Sequence, residues 1–123
     1  MNANKKVIVI EDEADILEDI CDLLRFNRYL VSTLSDGKDA LEKIRALAPD
    51  IILLDVMLGE WSGIDICQAL KADPQLKLVP VILLSAKSQK TDIESGFNIG
   101  ADRYMVKPFK NEDLMNTIKS LLS

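Results

Sequence analysis

The sequence predicts an α/β fold: a doubly wound, five-stranded parallel sheet with helices on both faces. Three observations carry that expectation. Short β-branched runs alternate five times with stretches of helical periodicity. The strands are apolar without interruption, as in Ile51-Ile52-Leu53-Leu54, a pattern that calls for burial on both faces. Finally, 123 residues, 48% of them hydrophobic, suffice for one core without metal or disulfide staples.

Lys6 to Glu11 is the first β-branched run. After it Ile16, Leu17, Ile20, Leu23 and Leu24 recur at helical spacing as far as Asn27. The second unit is Tyr29 to Leu34 then Gly37 to Leu47, and the third is Asp50 to Leu54 then Gly63 to Lys71. Val79 to Leu84 then Gln89 to Ile99 make the fourth; Arg103 to Val106 then Asn111 to Leu122 make the fifth. Strands separated by single helices pair in parallel through right-handed crossovers. No linker, low-complexity tract or internal repeat breaks the series, so one domain over 1–123 is expected, with no output domain within it.

Composition excludes several classes. Apolar runs such as Val7 to Ile10 are far too short to span a bilayer, and no basic-then-apolar leader precedes them, so a soluble, unexported protein without membrane association is expected. Cys21 and Cys67 form no CxxC pair, and the chain has no histidine to complete a zinc site. They read as small buried hydrophobes in a reducing, cytoplasmic compartment. A net charge of −5 with scattered Lys and Arg argues against nucleic-acid binding through this domain.

The residues that carry chemistry sit at expected strand ends: Glu11-Asp12 after the first, Asp55 after the third, Ser85 after the fourth and Lys107 after the fifth. Ligands of open α/β sheets bind at the carboxyl edge, where strand order reverses, so these groups converge if the first and third strands are neighbours. Three carboxylates in one crevice raise one another's pKa unless a cation intervenes, and hard oxygen donors suit Mg²⁺. Asp55 then has the character of a nucleophile toward phosphorus, with Lys107 and the Ser85 hydroxyl placed to neutralise phosphoryl oxygens. Singly, each has an ordinary explanation: Glu11-Asp12-Glu13 charging a helix N-terminus, Asp55 starting a turn, Ser85 capping, Lys107 solvated. Four separate junctions supplying complementary groups to one edge argue for a site.

At these positions the chain closely resembles the receiver family of bacterial two-component response regulators. The matching motifs are Val7-Ile8-Val9-Ile10-Glu11-Asp12-Glu13, Leu54-Asp55-Val56-Met57-Leu58, Leu84-Ser85-Ala86 and Tyr104-Met105-Val106-Lys107-Pro108-Phe109. Their separations match as well, thirty residues from Asp55 to Ser85 and twenty-two from there to Lys107. The resemblance implies a flavodoxin-like strand order 2-1-3-4-5 and phosphorelay signalling. Asp55 would be the phosphoacceptor, Asp12 a direct Mg²⁺ ligand, Glu11 its outer-sphere partner and the Met57 backbone carbonyl a third protein ligand. Ser85 and Lys107 would bind phosphoryl oxygens, and Lys107-Pro108 would be cis. Tyr104 would be the switch aromatic, turning inward as Ser85 moves, with the fourth helix, fifth strand and fifth helix as the readout surface. The implied partners are a sensor histidine kinase or phosphotransfer protein upstream and an effector protein or output domain downstream. Such a module promotes its own phosphorylation without a turnover substrate, and so is not an enzyme in the ordinary sense.

Some positions depart from the family pattern. Gly59 stands where a proline is usual, and should loosen the loop through Trp61 to Gly63. Arg103 replaces a second aspartate and Thr117 an arginine of receivers attached to winged-helix DNA-binding domains, leaving that charged dimer face incomplete. Met57 and Lys87, which in this family flank the water approach to the acyl phosphate, predict slow autodephosphorylation. A flavodoxin-like cofactor binder would need a Gly, Ser or Thr-rich phosphate loop where Glu11-Asp12-Glu13 stands. An aspartyl phosphatase would need an acid where Met57 stands. The remaining alternative is a pseudo-receiver, a phosphorylation-independent interaction module.

Overall fold

The computed structural model describes residues 5–123. In chain order its elements are β1 (Lys6–Ile10), α1 (Ala14–Phe26), β2 (Leu30–Leu34), α2 (Ala40–Leu47), β3 (Ile51–Asp55) and β4 (Met57–Leu58). Then come β5 (Trp61–Ser62), α3 (Gly63–Ala72), β6 (Val81–Ser85), α4 (Lys90–Asn98), β7 (Arg103–Val106) and α5 (Asn111–Leu122). Five strands pair in parallel in the order β2-β1-β3-β6-β7. This is the order the resemblance implies, once the short β4–β5 hairpin is set aside.

Strand periodicity explains the layering. Val7 and Val9 face one side of β1 while Ile8 and Ile10 face the other, and both sides are apolar because both are covered. Ile20, Cys21 and Leu24 of α1 join Leu114, Met115 and Ile118 of α5 over Val7, Val9, Ile51, Leu53, Ile82 and Leu84. On the opposite face Ile44 of α2 and Ile66, Cys67 and Leu70 of α3 cover Ile8, Ile10, Ile52, Leu54, Val81 and Leu83. The central strands β3 and β6 are buried at every position. Helix α4 is the least anchored, with Gly96 its one buried residue. Both cysteines are free and buried, and burial raises both thiol pKa values, Cys67 to about 11.

Several boundaries differ from the sequence expectation. Gly37 lies outside α2: Lys38 N–H bonds Asp36 Oδ1 at 2.9 Å and Asp39 adopts φ 54°, so the helix begins at Ala40. Strand β6 begins at Val81, after Pro80, which has no N–H to give a ladder. Asp55 and Ser85 are the last residues of their strands and not the first residues beyond them. The other bounds agree within one residue.

The structure gives the loop at Gly59 a defined shape. Residues 57–62 form an antiparallel hairpin, Met57 opposite Ser62 and Leu58 opposite Trp61, with Gly59 and Glu60 as its two-residue turn. Gly59 takes φ 63°, a region open to glycine and closed to proline, whose ring fixes φ near about −65°. Glycine here suits the tight turn.

Candidate functional site

Strand register places the chemistry. Ile10 stands opposite Leu54, Asp55 opposite Leu84, and Ser85 opposite Val106, so Glu11, Asp55, Ser85 and Lys107 leave the sheet at one edge. Backbone pairing continues past the strand ends, with Val56 N–H on the Leu84 carbonyl at 2.9 Å and Lys107 N–H on the Ser85 carbonyl at 2.8 Å. The side chains are therefore fixed by the sheet itself.

Glu11, Asp12 and Asp55 each bring a carboxylate oxygen within 4.8 Å of the others. Glu11 and Asp55 are buried, while Asp12 is exposed at the mouth. The Lys107 ammonium donates to Glu11 Oε1 and lies 3.3 Å from Asp55 Oδ2. Glu11 Oε2 accepts from the backbone N–H of Asp12 at 3.1 Å and of Glu13 at 3.4 Å, and Asp55 Oδ1 accepts from Met57 N–H at 3.2 Å.

Two of the three carboxylates, Glu11 and Asp55, thus share one ammonium. Burial, reinforced by the Asp55 carboxylate and opposed by Lys107, pushes Glu11 up to about 7. Burial alone would depress the Lys107 pKa, but its bond to Glu11 and the charge of Asp55 leave it raised. A donor set of hard oxygens with surplus negative charge could hold a metal ion and fits Mg²⁺ chemically.

The Ser85 Oγ accepts from Lys87 N–H at 3.0 Å. The Tyr104 hydroxyl donates to the Lys87 carbonyl at 2.9 Å, while its ring, half-buried, lies against Gly96. One residue, Lys87, therefore ties Ser85 to Tyr104. Lys107-Pro108 is cis, as the resemblance implies. Met57, 60% exposed, and Lys87 line one cleft of about 300 Å³ with Glu60 and Trp61.

Two features escaped the sequence reading. One is the 57–62 hairpin; the Gly59-Glu60 turn was its signal. The other is an apolar cleft of about 480 Å³ between α1 and the start of α5, floored by Ile16, Ile20, Leu23, Phe109 and Leu114 and reaching Lys107. Ile16, Ile20 and Leu23 share one helix face, but only the packing shows that part of it stays uncovered.

A family model described as "Response regulator receiver domain" matches residues 7–119. The DNA-binding response regulator MtrA of Mycobacterium tuberculosis H37Rv is 36% identical over 118 residues, covering 96% of this chain and 50% of that protein. The chain spans about half the length of the curated relatives it matches. Chemotaxis protein CheY4 of Vibrio cholerae superposes with a TM-score of 0.90 at 29% identity, covering 98% of this chain and 100% of that one. The receiver domain of a sensor histidine kinase from Pseudomonas aeruginosa PAO1 gives 0.88 at 27% identity, covering 98% of each chain. That protein was crystallised with a magnesium ion coordinated in its active site cleft.

Proposed function

Because the chain belongs to the receiver-domain family of response regulators, we propose that it is a phosphorelay switch that accepts a phosphoryl group on Asp55 with Mg²⁺. The observation that carries this reading is the Lys107 ammonium held between Glu11 and Asp55 beside an excess of carboxylate.

Asp12, Asp55 and the Met57 backbone carbonyl would hold the ion, with Glu11 as outer-sphere partner. When bound, Mg²⁺ supplies neutralisation of the phosphoryl oxygens as charge shifts during transfer. Asp55 attacks phosphorus through a carboxylate oxygen, and the bond from phosphorus to the donor breaks as the new bond forms. Lys107 neutralises a phosphoryl oxygen, and the Ser85 hydroxyl leaves Lys87 N–H to bond another. Because Lys87 also holds Tyr104, that movement reaches the ring and biases a two-state equilibrium read on α4, β7 and α5.

In this reading the donor is a sensor histidine kinase or a phosphotransfer protein, and the downstream partner is an effector protein or an output domain. The two buried thiols and the absence, among the described residues, of a helix able to cross a membrane support a cytoplasmic address. The net charge of −5 keeps nucleic acid off this domain. The test is incubation with acetyl phosphate and Mg²⁺, followed by intact mass. One phosphoryl adduct that depends on Mg²⁺ is expected; no adduct under these conditions overturns the reading.

A further inference from the structure

We propose that Gly63 is a positioning residue of the carboxylate site, setting how Asp55 and the Met57 carbonyl face one another. The inference rests on the metal reading above, and adds a residue that touches neither ion nor phosphoryl group.

A β carbon on Gly63 would lie 2.1 Å from the Asp55 carbonyl oxygen, 2.9 Å from its carbonyl carbon and 2.7 Å from Val56 Cα. All three are backbone atoms, so no side-chain rotation relieves the contact. Gly63 N–H also donates to the Val56 carbonyl at 2.7 Å. The first residue of α3 is thereby bonded to the residue after β3 and packed against the Asp55 peptide, and the hairpin stands between these points. Met57 pairs with Ser62, the neighbour of Gly63, while Met57 N–H holds Asp55 Oδ1. A methyl group at 63 must move α3 or the Asp55 peptide. Either movement passes through this short ladder to Met57.

Gly37 supplies a matched contrast. A β carbon there would meet Trp61 Cβ and Cγ at 2.6 Å, so it crowds the same hairpin through Trp61, and its nearest neighbours include no atom of Asp55.

The experiment is a calorimetric Mg²⁺ titration of wild type, Gly63→Ala and Gly37→Ala, with urea unfolding of each in EDTA. Both variants should lose stability, but only Gly63→Ala should lose Mg²⁺ affinity, by about tenfold or more, as displaced supporting groups around a metal site do. A folded Gly63→Ala with wild-type affinity overturns the proposal. So does an equal loss of affinity in both variants, which would mark a merely structural role. Wild type that binds no Mg²⁺ overturns the metal reading itself, a result distinct from the other two. Should Gly63→Ala fail to fold, amide hydrogen exchange of wild type decides. Coupling is reciprocal, so Mg²⁺ must slow exchange at the Gly63 amide. Protection gained at Asp12 but not at Gly63 overturns the proposal.

Discussion

Two half-hidden lysines sit at opposite edges of the sheet, and their surroundings separate a structural ion pair from a reactive one. At the amino edge Lys71 Nζ reaches Asp102 Oδ2 at 2.8 Å, the Val79 carbonyl at 2.9 Å and the Lys77 carbonyl at 3.4 Å. Asp102 Oδ2 also accepts from Val81 N–H at 2.8 Å. One cation meets one anion, every ammonium proton has an acceptor, and the pair staples the α3–β6 loop to the start of β7. At the carboxyl edge Lys107 is no more exposed, 15% against 16% for Lys71, yet it faces Glu11 and Asp55 with Asp12 close by. A satisfied pair has nothing left to bind. A surplus of buried carboxylate is costly to keep without a further cation, and that cost marks the functional edge.

The largest expected effect separates the two edges outright. Asp55→Asn should abolish the acetyl phosphate adduct while leaving the fold intact, since it removes the nucleophile and keeps its size. Asp102→Asn, the same change at the other edge, should be phosphorylated normally. Intact mass of both variants checks this, and an adduct on Asp55→Asn at the wild-type rate would refute the assignment.

The next effect is on stability and has a definite sign. Glu11 titrates higher in the folded chain than its ordinary 4.5, at about 7, so folding is favoured below that ordinary value and loses stability as pH rises toward 7. Glu11→Gln, measured in EDTA, should match wild type near pH 4.5 and exceed it by roughly 2 kcal/mol near pH 8. Mg²⁺ should stabilise wild type increasingly as pH rises, because its ligands must be deprotonated. Urea unfolding at the two pH values decides. A Glu11→Gln protein less stable than wild type at the higher pH would mean that Glu11 is held for its bonds and not burdened by its charge.

At the amino edge the opposite sign is expected. Asp102→Ala should destabilise by roughly 1 kcal/mol, the size of a lost charge-assisted bond discounted for an aspartate about a third exposed. A urea midpoint unchanged from wild type would mean that the staple contributes nothing.

How far the sequence carried these distinctions depended on which physical signal was local. The strands were legible because their apolar runs are continuous, and the four junctions were legible because each places its chemical group at a strand end. The Lys71–Asp102 pair is not legible in the sequence, since thirty-one residues separate the partners and no local pattern links them. In the sequence Gly63 marks only the start of a helix. Its contact with the Asp55 backbone exists only once β3 and α3 are packed together. The turn at Gly59 is hidden for a related reason: a glycine in place of proline signals only freedom, and the pairing of Met57 with Ser62 and Leu58 with Trp61 is what makes it a turn.

The smallest expected effect concerns how long the phosphoryl group persists. Hydrolysis needs a water held in line with phosphorus. Positions 57 and 87 line one cleft with Val56, the residue after Asp55, and the family pattern puts them beside that water's approach. Met57 is 60% exposed there, so its thioether presents an apolar, weakly accepting surface to that water. The Lys87 ammonium donates only, and can shield phosphoryl oxygens but cannot take a proton from the attacking water. The side-chain bonds of Lys107 run to Glu11 and Asp55, so changing positions 57 and 87 should leave phosphorylation itself intact. Replacing Met57 with Asn and Lys87 with Glu supplies a group that orients water and one that accepts its proton. Autodephosphorylation should then quicken by about fivefold to tenfold, equivalent to about 1 kcal/mol off the barrier. Phosphate release from the purified phosphorylated proteins, timed after the donor is removed, measures the difference. Equal rates would place control of the lifetime at the crowded carboxylate edge itself, with Lys107 and its anions, and not at the cleft leading to it.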